Sequence, residues 1–264
     1  MQEETKFLHR VSKGSRYNQI YIPREMENEF GVGDAVEVRL IERKPEIFVH
    51  KAKLTNFKEM LIKEIFKFLE KFKEIEQIFV VGSFLLEKTS YRDIDLVLLT
   101  KNEEYEEFDN KINEKISEEF NLKFHIISGE KNGLIEDLKF SPMMRSMFSH
   151  FTSNKKFEVP KERIIEKNNI LLVLMAPEDL INYDLEDSRL YYNSLRKLFI
   201  TERFLNNEEE DIVKAYEDIK KEIGDKLFEE IRKYEYISKK DKEKIRKVIA
   251  VKLKKLKRTI NGKK

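Results

Sequence analysis

Residues 79–100 read FVVGSFLLEKTSYRDIDLVLLT. An apolar run stops at Gly82-Ser83, nine residues intervene, and Asp93-Ile94-Asp95 opens a second apolar run. Alternate residues of a strand point to one face, so Asp93 and Asp95 share a side of the sheet. Two like charges side by side repel, and the pair makes best physical sense with a cation between them. Gly82 permits a tight turn out of the first strand. Backbone N–H groups at the start of a following short helix can hold phosphate oxygens, with the Ser83 hydroxyl as one more donor. Carboxylate oxygens with room for water suit Mg2+, which takes a few carboxylates plus substrate phosphates. Phosphate cradle and metal carboxylates on neighbouring strands form a site for a nucleoside triphosphate and in-line phosphoryl chemistry.

The flanking sequence gives this stretch a setting. Phe57, Met60, Leu61, Ile65, Phe68, Leu69 and Phe72 fall on one helical face, strands are expected at 78–81 and 94–99, and Tyr105, Phe108, Ile112 and Ile116 repeat at helical spacing before a third strand, LKFHIIS. Alternation of helix and strand reads as an α/β sheet. A further strand is expected at 169–175. Beyond residue 176 the pattern is helical, with helices expected at about 177–205, 208–236 and 239–258. Residues 1–53 read instead as short strands and turns: FLHRVSKGSRYNQIYIP up to Pro23, a helical turn or two in REMENEFGVG, then DAVEVRLIE and a fourth strand in KPEIFVHK. The expected fold class is therefore α+β and multidomain: a small β module over 1–53, a central α/β domain over 56–176 and a helical domain over 177–264.

Composition narrows the function classes. Lys plus Arg number 52 and Asp plus Glu 50 among 264 residues, so nothing global argues for a nucleic-acid binder, and such a surface must come from local clustering. The absence of cysteine excludes disulfides and thiolate metal sites. The polar start MQEETKFLHR has no signal-peptide pattern, and no apolar run approaches membrane-spanning length. A cytoplasmic protein with no membrane partner is the expectation.

The stretch VVGSFLLEKTSYRDIDLVLL resembles the DNA polymerase beta nucleotidyltransferase superfamily, whose pattern is an apolar strand, Gly-Gly or Gly-Ser, a spacer of about this length, and Asp-apolar-Asp or Asp-apolar-Glu. The resemblance covers roughly residues 56–160. It implies that Gly82 and Ser83 hold the triphosphate and that Asp93 and Asp95 bind two Mg2+ ions. Two departures stand out. Minimal members carry Arg-Gly in the spacer and Ser before the first Asp, where this chain has Glu87-Lys88 and Arg92. Lys88 either serves the phosphates or is a solvated helix charge. Catalytic members also supply a third carboxylate from the next strand, where His125 stands here. A neutral imidazole can bind a metal or accept a proton but brings no charge. Either His125 is a substitute base, or the site holds nucleotide and reacts poorly.

The segment VSKGSRYNQIYIPREM, with FGVGDAVEVRL after it, resembles the AbrB/SpoVT swapped-hairpin family through Ile20, Ile22 and Pro23 at the step into a short helix and Gly33-Asp34 at the return. That resemblance implies a homodimer of interleaved hairpins, and either DNA binding through Lys13, Arg16 and Arg24 or dimerisation alone. SPMMRSMFSHF reads as core, with a base or acceptor pocket using Arg145 as the alternative. Two functions follow. One is an Mg2+-dependent enzyme that transfers a nucleoside monophosphate to RNA, protein or a small molecule. The other is a DNA-binding or antitoxin-type regulator whose central domain binds nucleotide without efficient catalysis.

Overall fold

The computed structural model describes residues 7, 9–38, 46–86, 91–101, 105–183 and 185–262. The chain forms two compact units, 1–44 and 45–264.

In the first unit, β1 (Ser12–Lys13) and β2 (Asn18–Gln19) form an antiparallel hairpin, pairing Ser12 with Gln19 and Lys13 with Asn18. Gly14 closes the loop by donating its N–H to the Tyr17 carbonyl at 2.9 Å. One 3-10 turn, Arg24–Met26, follows Pro23. Among the described residues of this unit no side chain is buried, and Tyr17 and Val38 are 79% and 67% exposed. The expected return strand DAVEVRLIE has no strand over 34–38, and its remaining residues lie outside the described ones.

The second unit is built on a five-stranded sheet in the order β3 (Phe48–His50), β7 (Phe151–Ser153), β4 (Ile75–Val81), β5 (Ile94–Thr100), β6 (Phe124–Gly129). The stretch KPEIFVHK thus departs from the expectation that it belongs with the N-terminal strands: β3 pairs antiparallel with β7, whose edge supplies the ladder that a three-residue strand lacks alone. β4 and β5 are antiparallel, whereas β5 and β6 are parallel and joined through helix α2 (Tyr105–Phe120). Because β4 and β5 are covered on both faces, they read as continuous apolar runs rather than alternating ones. One face packs Ile78, Val80, Ile94, Leu96 and Leu98 against α2 and α1 (Asn56–Leu69). On α1 the buried stripe is Ile62, Ile65, Phe66 and Leu69, while Phe57 and Met60, expected on the same face, stay exposed because the helical repeat carries them round to the side away from that stripe. The other face packs Phe79, Val81, Val97, Leu99 and Phe151 under Leu134 and Leu138 of α3 (Lys131–Phe140) and under Phe148. The short helix α4 (Pro142–Met147) then leads into β7.

The strand expected at 169–175 is instead part of helix α5 (Lys167–Asn182). A short apolar run such as ILLVLM fits either state, and burial decides it: Ile170, Leu174, Pro177 and Leu180 are the buried residues, at helical spacing. Helix α6 (Ser188–Leu205) follows. The single helix expected over 208–236 is two, α7 (Ile212–Ile223) and α8 (Asp225–Lys233), separated by Gly224 at φ 91°. Helix α9 (Lys239–Gly262) closes the core with Ile245, Ile249, Leu253, Leu256 and Ile260. No helix among the described residues is long and apolar enough to cross a membrane.

Candidate functional site

Register carries one row of residues across all five strands: His50 opposite Phe151, Phe151 opposite Val81, Val81 opposite Asp95, and Asp95 opposite His125. Residues directly opposite one another share a sheet face. The row therefore lies on the face of Phe79 and Val97, with the carboxylate of Asp95 where that apolar face ends. Immediately after Val81 the chain turns at Gly82, with φ 77°, into the 3-10 turn Gly82–Leu85. A Cβ added at Gly82 would lie 2.3 Å from Asp95 Oδ2, closer than any real contact. The glycine of the Gly-Ser pair is thus demanded twice, by its backbone conformation and by the carboxylate pressed against it. The turn is 3-10 rather than α-helical, and Ser83 accepts the Leu86 N–H at 3.1 Å. Lys58 on α1 fastens the same loop, donating to the Leu86 carbonyl at 2.9 Å beneath the Phe84 ring.

Asp95 keeps 24% of its side-chain surface, and its Oδ1 lies 3.2 Å from Nδ1 of His125. Loss of water raises the Asp95 carboxyl above its ordinary range, the His125 hydrogen bond opposes this, and the negative charge of Asp93 adds to the rise. Arg196 on α6 also acts on Asp95, lowering it. Among the described residues, no lysine or arginine forms an ion pair with Asp93 or Asp95. The arrangement is one that a divalent cation would relieve, since a cation favours both ionised carboxylates at once. Its donor set is small: no group of three or more His, Cys, Asp or Glu among the described residues is placed to hold a metal. The fit is to an ion that two carboxylates hold and that draws its other ligands from water and a substrate's phosphates.

Of the residues expected in the site, Gly82, Ser83, Asp93, Asp95 and His125 converge on one end of the sheet. Lys88 lies outside the described residues. Lys13, Arg16 and Arg24 are exposed and belong to the first unit. Arg145 does not line a pocket as its alternative reading required. It is 8% exposed, bonded through Nε to Glu210 at 3.1 Å and through Nη1 to the carbonyls of Leu138, Pro160 and Glu162. The methionines and phenylalanines around it are core.

Sequence reasoning missed three neighbours. Arg92 stacks 3.6 Å over the Tyr234 ring, Arg196 reaches Asp95 electrostatically, and His50 stacks on Phe151 at 4.9 Å. All three pair residues more than 100 positions apart, for which no local pattern exists.

Residues 59–172 match the family model of the nucleotidyltransferase domain. No curated protein and no solved structure matches the chain. The matched segment runs from α1 into α5 and includes the Gly-Ser turn, both aspartates and His125. That match supports a central nucleotidyltransferase domain, with transfer of a nucleoside monophosphate as its general chemistry and a nucleoside triphosphate as its substrate.

Proposed function

We propose that this protein transfers a nucleoside monophosphate from a nucleoside triphosphate to an acceptor hydroxyl, with Asp93 and Asp95 as the metal-binding pair. The observation that carries this reading is the Asp95 carboxylate, desolvated, repelled by Asp93 and pressed to within 2.3 Å of where a Gly82 Cβ would stand. Gly82 and Ser83 hold the triphosphate at the turn facing that carboxylate, and Lys88, five positions before Asp93 in the sequence, is a further candidate for the phosphates. Mg2+ bound there would lower the pKa of the acceptor hydroxyl and neutralise charge on the leaving pyrophosphate. In the reaction the acceptor oxygen bonds to the α-phosphorus, the bond to the β-phosphate oxygen breaks, and pyrophosphate leaves. The acceptor's proton needs a recipient. With Nδ1 of His125 donating to Asp95, its Nε2 carries a lone pair, and the side chain's 58% exposure leaves it free to exchange the proton with water. The acceptor is RNA, a protein side chain or a small molecule.

Incubation with Mg2+, α-labelled nucleoside triphosphates and, in turn, RNA, cell protein and small hydroxyl compounds tests this. Label transferred by the wild type and absent with an Asp93→Asn, Asp95→Asn double variant supports it; equal labelling by both sinks it.

A second reading has its own observation. Among the described residues of 1–44 no side chain is buried, and hairpins that interleave with a second copy would supply the core that those residues lack alone. In that reading the protein is a homodimeric regulator that binds DNA through Lys13, Arg16 and Arg24, while the central domain holds nucleotide without turning it over. A DNA mobility shift that weakens steeply with salt, and is lost when those three residues become alanine, would favour it.

A further inference from the structure

Asp93 and Asp95 are held in different ways. Asp95 lies within β5, in register with Val81 and His125, with its carboxylate against Gly82. Asp93 precedes the strand, which begins at Ile94, and its side chain has no hydrogen bond or ion pair to a described residue. Two carboxylates that share one ion need a fixed separation, so Asp93 must take its position from its neighbours in the chain.

Of its two chain neighbours, Ile94 is buried in β5 and donates its N–H to the Lys123 carbonyl at 3.0 Å, while Arg92, which stands where the family pattern has serine, reaches the helical layer. Its guanidinium lies 3.6 Å over the Tyr234 ring and its Nη2 donates to the Lys233 carbonyl at 3.2 Å. Lys233 is the last residue of α8, so its carbonyl is one of those a helix end leaves without a partner, at the negative end of the helix dipole. Tyr234 follows at φ 62°, ψ 31°, a left-handed position that glycine ordinarily takes. Its ring adjoins buried Tyr192, whose hydroxyl meets that of Tyr216 at 2.7 Å. Arg92 is therefore fastened to the end of α8, and it forms no ion pair with the aspartate beside it.

We propose that Arg92 and Tyr234 are positioning residues: with Ile94 held in β5 on one side of Asp93, the end of α8 holds the other side and so sets the separation of the two carboxylates. This rests on the reading of Asp93 and Asp95 as the metal-binding pair. It makes the helical layer a working part of the site, with no contact to the reacting atoms required.

The test is the Mg2+ concentration that gives half-maximal binding of fluorescent analogues of ATP, GTP, CTP and UTP, measured in turn and well below each variant's Tm. Arg92→Ala and Tyr234→Ala should raise that concentration about tenfold or more, the scale on which residues that orient metal ligands act. Tyr234→Phe, which keeps the ring under the guanidinium, should match the wild type. If Tyr234→Ala fails to fold, the exposed Arg92 carries the test. A lowered Tm with an unmoved half-point would mean an ordinary structural contact and overturn the proposal, as would a Tyr234→Phe effect equal to that of Tyr234→Ala. Loss of Mg2+ dependence in the Asp93→Asn, Asp95→Asn variant, beside wild-type behaviour of the Arg92 and Tyr234 variants, would overturn the positioning role alone. Wild-type Mg2+ dependence in the double aspartate variant, or none in the wild type, would overturn the metal reading and the proposal with it.

Discussion

Glu210 and Asp95 are both carboxylates drawn out of water, and the chain treats them in opposite ways. Glu210, with a side chain 6% exposed, lies between two arginines: Arg145 Nε at 3.1 Å on one oxygen and Arg163 Nε at 2.6 Å on the other. Asp95, at 24%, has a second carboxylate two residues away and a histidine at 3.2 Å. The chain can therefore neutralise a buried acid where structure alone is at stake. Asp93 and Asp95 stand together with Arg196 acting only at a distance and no lysine or arginine among the described residues in an ion pair with either, a standing cost that a site awaiting a cation accounts for.

The contrast is broken most forcefully at Glu210. Glu210→Ala leaves two arginines facing each other in a space built for a shared anion, and should cost about 3–5 kcal/mol, the usual penalty for unpairing buried charge. Denaturant unfolding would read it as a lower midpoint at unchanged slope. A loss under 1 kcal/mol would show that the network is idle.

Gly82→Ala comes next. It forces a side chain into left-handed backbone and against Asp95 Oδ2, and should destabilise by about 1–3 kcal/mol while displacing the carboxylate. Mg2+-dependent nucleotide binding should fall further than stability does. Binding that survives intact would mean that the turn and the carboxylate are not one site.

The sign reverses at Asp95. Its carboxyl is raised above the ordinary 3.8, so its contribution is complete at low pH and is lost as pH rises through its folded-state pKa. Asp95→Asn keeps the shape and removes the charge. Without metal it should therefore be more stable than wild type at pH 7, by on the order of 1 kcal/mol. That gain should vanish near pH 3, where both chains are neutral at this position. Thermal melts across that range check it. A variant less stable at pH 7 would show that Asp95 is structurally paired after all.

The part of the site that could be read in the sequence is the part made by local geometry. Gly82-Ser83 follows the end of β4, Asp93-x-Asp95 stands at the start of β5 nine residues on, and the strand carrying His125 is the next in the sheet, so spacing alone brings them together. What escaped reading depends on distant partners. The three residues of β3 could pair with any open edge, and β7, about 100 positions on, is the one that offers it. ILLVLM in α5 has no strand-or-helix signature of its own, and the helical core it packs into decides. Arg145 was ambiguous because its partner Glu210 is 65 positions away, and Arg92 because Tyr234 is 142 away. An arginine in a sequence does not disclose whether it awaits a phosphate or already has a partner.

The central claim is that the Asp93–Asp95 repulsion exists to be relieved by a metal-bound triphosphate. Thermal unfolding at pH 7 with and without Mg2+ and the preferred nucleoside triphosphate tests it most directly, comparing wild type with the Asp93→Asn, Asp95→Asn variant. The wild type should gain stability only when both ligands are present, by about 2.7 kcal/mol at a hundredfold excess over Kd. The variant should start more stable and gain nothing. Equal gains in the two proteins, or a variant that starts less stable, would contradict the account.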